Sequence, residues 1–107
     1  MKQEYILCAA VWYMEIPIKK ELSFEAAVRP VNCDRGLVFC GYRHAHCMYT
    51  MVSVTGLRSV ESEVGNYVQG FLTSKNRFVD REEGAKIHIA NGHKIDFEHR
   101  LFSEDLY

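Results

Sequence analysis

Two short stretches of the chain concentrate groups able to do chemistry. The first is Cys40-Gly41-Tyr42-Arg43-His44-Ala45-His46-Cys47, with two cysteines and two histidines in eight residues. Zinc takes four tetrahedral thiolate or imidazole ligands, usually drawn from two separated pairs. Here all four lie in one run with no second cluster. A second reading makes Cys40 and Cys47 small buried hydrophobes. A third uses Arg43 and His44, which sit where a strand hands over to a helix. Free backbone N–H groups and the helix dipole favour an anion there, and a guanidinium adds a bidentate grip on phosphate.

The second stretch runs from Gly70 to Arg81 (GFLTSKNRFVDR). Phe71 and Phe78 could stack a base, at ~1–3 kcal/mol per base. Thr73 and Asn76 could donate or accept hydrogen bonds, and Arg77 and Arg81 could hold phosphate. The alternative is a turn with both phenylalanines in the core and both arginines solvated. Trp12, at the end of an apolar segment, could serve core or ligand. For hydrolysis, His44 or His46 could act as acid or base with Asp80 or Glu83 as partner. No Gly-x-Ser-x-Gly elbow, phosphate-binding P-loop or dinucleotide fingerprint accompanies them.

The elements that must position these groups follow from apolar spacing. Glu4 to Met14 is rich in β-formers and reads as a strand. Ser23 to Ala27 could begin a short helix that Arg29-Pro30 ends. Val31 to Gly36 reads as a turn and Leu37 to Cys40 as a second strand. Cys47, Met48, Met51, Val52 and Thr55 recur at helical spacing, with Gly56 just past the end, which predicts a helix from His44 to Thr55. Ser59 to Asn66 is a charged connector with room for a helical turn. Tyr67 to Thr73 predicts a third strand with Gly70 as a bulge. Asp80 and Glu83 have capping-box spacing and open a helix from Arg81 to Asn91, with Gly92 after it. The alternation Lys86-Ile87-His88-Ile89 would also suit a strand. Phe97, Leu101, Phe102 and Leu106 of the tail are expected to pack on the body. The fold class is α+β: an N-terminal antiparallel sheet with two main helices, in one domain spanning 1–107.

The 107 residues leave no room for a second core. A formal net charge of −1 and no basic run argue against long nucleic acid and leave a small phosphate compound open. No secretory signal or membrane-length apolar run is evident, so the four cysteines read as cytosolic thiols.

Three stretches, with the Trp12-Tyr13 strand ending, resemble the first-described type of Thoeris anti-defence sponge proteins of phages and prophages. They are Asn32 to His44, Gln69 to Glu83, and Leu101-Phe102-Ser103-Glu104-Asp105-Leu106-Tyr107. The resemblance implies a non-enzymatic protein of the host bacterial cytoplasm. Such proteins sequester cyclic ADP-ribose isomers, and in some cases cyclic di- or trinucleotides, without cleaving them. It also implies a homodimer or larger homo-oligomer, with no cofactor and no metal. Carried onto this chain, Arg43 would pair with pyrophosphate, with His44 beside it at the helix start. Phe71, Asn76 and Arg77 would hold base, ribose and phosphate, with Thr73 between them. Trp12 and Arg29 would be further contacts. A phosphodiesterase or glycohydrolase that destroys the signal, and a zinc-stabilised interaction module, are the competing classes.

Overall fold

A computed structural model describes residues 3–17, 29–97 and 99–107. Four strands form one antiparallel sheet: β1 (Ile6–Tyr13), β2 (Leu37–Gly41), β3 (Tyr67–Thr73) and β4 (Phe78–Asp80), in the order β2-β1-β3-β4. The helices are α1 (His44–Thr55), the short α2 (Glu61–Val64) and α3 (Arg81–Ala90). A 3-10 turn covers Ser103–Asp105. The fold is α+β, as the alternation of apolar segments and turns predicts.

The central strand is apolar on both sides because both sides are covered. Ala9, Val11 and Tyr13 pack with Cys47 and Met51 of α1 and Val64 of α2. Further along that face, Phe71 and Val79 meet Ala85 and Ile87 of α3, with Leu101 from the tail. On the opposite face, Ala10, Phe78 and Cys33 form a smaller cluster edged by Trp12, Val38 and Leu72. Period-two alternation thus assigns the β1 side chains from Ala9 to Tyr13 to one of two apolar layers.

Helix ends are set by local chemistry. Gly56 closes α1 at φ 75° and donates its N–H to Val52 O, the left-handed stop that glycine supplies at least cost. Asp80 caps α3 by accepting from the Glu83 N–H at 2.8 Å. The helix wins over the strand alternative for 86–89, since Ile87 faces the core while Ile89 stays exposed.

Three expectations need correction. Gly70 is no bulge: it pairs in register with Ala10 and with Asp80. It is glycine because a Cβ there would lie 2.1 Å from Val79 O and 2.8 Å from the Phe78 ring. The irregularity sits instead in β1, between Ile6 and Cys8. The strand β4 was not expected as a separate element. Phe97 is 62% exposed and does not join the core, unlike the fully buried Leu101. The helix expected at Ser23 to Ala27 lies outside the described residues. No described helix is long and apolar enough to cross a membrane.

Candidate functional site

The structure brings only Asp80 and Arg81, the end of the second constellation, into the groove described below. At the β2–α1 turn, Arg43 occupies the N-cap position of α1 without a side-chain cap bond. Its guanidinium donates to the backbone oxygens of Ser103 and Tyr107 and lies 3.9 Å from the Glu104 carboxylate. It also sits 4.5 Å from the Tyr42 ring centre and 5.2 Å from that of Tyr107. Those two rings stack on each other at 4.5 Å. Arg43 therefore latches the C-terminal tail to the α1 entrance, rather than facing an open anion site.

His44 is turned inward. Its Nε2 lies 2.8 Å from Gly70 O, and its ring meets Phe71 edge-on at 5.2 Å. Burial pushes its pKa below the ordinary imidazole value, so it is neutral and donates to a carbonyl between α1 and β3. In that position the ring braces α1 against β3. His46 is exposed, Cys40 is exposed and Cys47 is buried, so the Cys40–Cys47 run points in different directions. Among the described residues, no group of three His, Cys, Asp or Glu side chains could hold a metal ion.

The turn after β3 is closed by its own carboxylate. Arg77 donates through Nε and Nη2 to the two oxygens of Glu4, at 2.8 and 2.7 Å. The Thr73 hydroxyl donates to the same carboxylate at 2.6 Å and accepts the Lys75 and Arg77 amides. The Arg77 hydrogen bond, with help from Thr73, holds the Glu4 carboxyl down at about 2. Asn76 sits at φ 57°, the left-handed position asparagine tolerates in turns, and its carbonyl accepts the Val31 N–H. Phe71 and Thr73 are fully buried. The ring is part of the core and the hydroxyl braces the turn.

Trp12 and Arg29 are brought together at a different turn. The indole N–H donates to Arg35 O at 2.8 Å, and Arg29 Nη1 donates to the adjacent Gly36 O at 3.4 Å. The Trp12 ring meets Phe78 edge-on. Neither residue lines the groove described next.

That groove opens where β4 is too short to cover β3. The two strands pair only from Gly70 to Leu72. Tyr67, Val68 and Gln69 are left beside a hollow of about 660 Å³, walled by Asp80, Arg81 and Glu82 on one side and Arg100 and Phe102 on the other. Small-molecule sites span ~300–1,000 Å³. Arg81 is held rigidly, donating to Leu101 O and to Gln69 Oε1, both at 2.9 Å. Its guanidinium lies 4.5 Å from the Phe102 ring centre and that of Arg100 lies 5.7 Å from the same centre. Burial, then the neighbouring Arg100 charge, pushes the Arg81 pKa down, against the pull of the Glu104 carboxylate. Among the described residues neither Arg81 nor Arg100 makes an ion pair. The Asp80 carboxylate is occupied by the helix cap.

Two like charges drawn to one ring, neither in an ion pair among the described residues, have electrostatic capacity left for an anion. Sequence reasoning offered Arg81 either as a phosphate grip or as a solvated side chain, and gave Arg100 and Phe102 no site role. Three separate segments build the groove, so no spacing rule could join them.

Residues 5–107 match the family described as phage T4 y16D protein, and the chain belongs to that family. No curated protein matches the chain, and no solved structure does.

Proposed function

We propose that this member of the phage T4 y16D protein family binds a small phosphate-bearing, nucleotide-like signal in the β3-edge groove and sequesters it without cleavage. The observation that carries the reading is the pairing of Arg81 and Arg100 around Phe102, neither in an ion pair among the described residues. Phosphate favours guanidinium for its charge and its matching donor fork. Phe102 and Tyr67 supply flat apolar faces for a base, and Gln69 an amide for hydrogen bonding.

The finer identity follows the resemblance to Thoeris anti-defence sponges. In this reading the ligand is a cyclic ADP-ribose isomer, with cyclic di- or trinucleotides as a second class. The protein acts as a homodimer or larger homo-oligomer in the host bacterial cytoplasm. Cleavage would instead need an acid–base pair at the groove. Its carboxylates are Asp80 and Glu82, and Asp80 already caps α3.

The test incubates the full chain with cyclic ADP-ribose isomers, removes free ligand by gel filtration, and heats the complex. Release of intact ligand in near-stoichiometric amount is the expected result. Recovery of linear product alone would identify an enzyme and overturn sequestration. No retained ligand would overturn the choice of ligand class.

A further inference from the structure

Cys8 and Cys40 are neighbours on one face of the sheet. β1 and β2 pair with Ala10 opposite Cys40 and Ala9 opposite Gly41. Cys8, two residues before Ala10, therefore points to the same side as Cys40, on the adjacent diagonal. All four cysteines are free thiols, Cys40 exposed and Cys8 half-buried, whereas Cys33 and Cys47 are buried.

We propose that Cys8 and Cys40 form a two-thiol reaction site for a hydroperoxide-class oxidant, with Cys8 attacking and Cys40 resolving. This site is independent of the groove and of its ligand.

The surroundings of the pair divide the labour. The Cys40 thiol hydrogen-bonds to Cys8, and the Gly41 amide adds a second hydrogen bond, which together hold the Cys8 pKa down to about 7. The same pairing pushes the Cys40 thiol up. Cys33 and Cys47, buried without such a partner, are both pushed up to about 11. The other titratable neighbours of Cys8 are Cys47 on α1 and Tyr107 on the tail. The thiolate is the nucleophile of cysteine chemistry, so near neutrality Cys8 is the one residue of the four with a large reactive fraction.

The chemistry balances in two steps. The Cys8 thiolate attacks the terminal oxygen of hydrogen peroxide, the O–O bond breaks, and hydroxide leaves from a Cys8 sulfenic acid. The Cys40 sulfur then attacks the Cys8 sulfur, its proton and the hydroxyl leave as water, and an S–S bond forms. Two thiols are oxidised by two electrons and one peroxide is reduced. The product ties β1 to β2 beside the Tyr42–Arg43 turn that holds the tail.

The experiment treats the folded full chain with equimolar hydrogen peroxide near pH 7, blocks remaining thiols with iodoacetamide, and maps peptides by mass spectrometry. The expected product is a Cys8–Cys40 disulfide, two hydrogens lighter than the dithiol and reversed by dithiothreitol, with Cys33 and Cys47 still reduced. Cys40→Ala should leave a Cys8 sulfenic acid that dimedone captures, and should raise the alkylation midpoint of Cys8 from about 7 towards the ordinary thiol value of ~8.5. Phenylarsine oxide on the unmutated chain gives a second measurement, since arsenic bridges two nearby thiols, and both should resist alkylation together. The proposal is overturned if Cys8 oxidises no faster than Cys33, or if the arsenical protects neither thiol or only one.

Discussion

Arg77 and Arg81 stand four residues apart and do opposite things. Arg77 leaves β3's closing turn and meets Glu4, which takes the Nε–Nη2 edge of its guanidinium. Arg81 opens α3 and meets a backbone carbonyl, an amide side chain and an aromatic ring. Arginine content alone does not identify an anion site. What decides is whether the fold brings a carboxylate within reach, and here the segment leading into β1 delivers one to the turn and no ion pair forms at the groove's arginines among the described residues. The turn is a closed ionic brace, whereas the groove keeps cationic capacity for a ligand.

The comparison breaks most sharply at Phe71. If Phe71 were a base platform, its loss would abolish binding and spare stability. As a core ring between β3, α3 and Leu101, its replacement by alanine should cost about 3–5 kcal/mol. Chemical denaturation checks this, and unchanged stability with lost ligand binding would restore the turn as the site.

The brace itself is tested at Glu4→Gln. The bidentate bond weakens and Thr73 loses a charged acceptor. The Arg77 side chain is 37% exposed, so solvent tempers the loss to about 2 kcal/mol. The pH dependence has a definite sign. The folded-state pKa of about 2 lies below the ordinary value of 4.5. The pair therefore stabilises fully above about 4.5, and that stability is lost as pH falls towards about 2. Denaturation between pH 5 and 2 should show a steep loss in the parent chain and a shallower one in Glu4→Gln. Parallel curves would mean that Glu4 does not carry the acid sensitivity.

The same contrast explains what could be read in advance. α1 spans His44–Thr55 because apolar spacing and Gly56 are both local signals. β3 spans Tyr67–Thr73 for the same kind of reason. β4 escaped because three residues are too few to display alternation, and its pairing depends on Gly70 letting Val79 approach. The roles of the arginines were less legible still. Glu4 and Arg77 are 73 positions apart, and Arg81 meets Phe102 only after the tail folds back. Arg43 shows the limit most plainly: a helix entrance with an arginine looks like an anion site in sequence, yet the tail fills it with Ser103 and Tyr107 oxygens. Residue type was visible throughout, but long-range pairing sets which group remains available.

The smallest change sharpens the groove side of the comparison. Arg100 is exposed, makes no ion pair among the described residues and touches Phe102 only through a 5.7 Å cation–π contact. Arg100→Gln should therefore leave folding stability within about 0.5 kcal/mol. If phosphate sits between Arg100 and Arg81, the same change should weaken binding of the cyclic ADP-ribose ligand by about fivefold, an exposed charge-pair contribution of ~1 kcal/mol. The loss should shrink as salt rises, because ions screen an exposed contact within ~10 Å at 0.1 M. Titration calorimetry at two salt concentrations measures both. Unchanged affinity at low salt would remove Arg100 from the site and leave Arg81 alone to hold the anion.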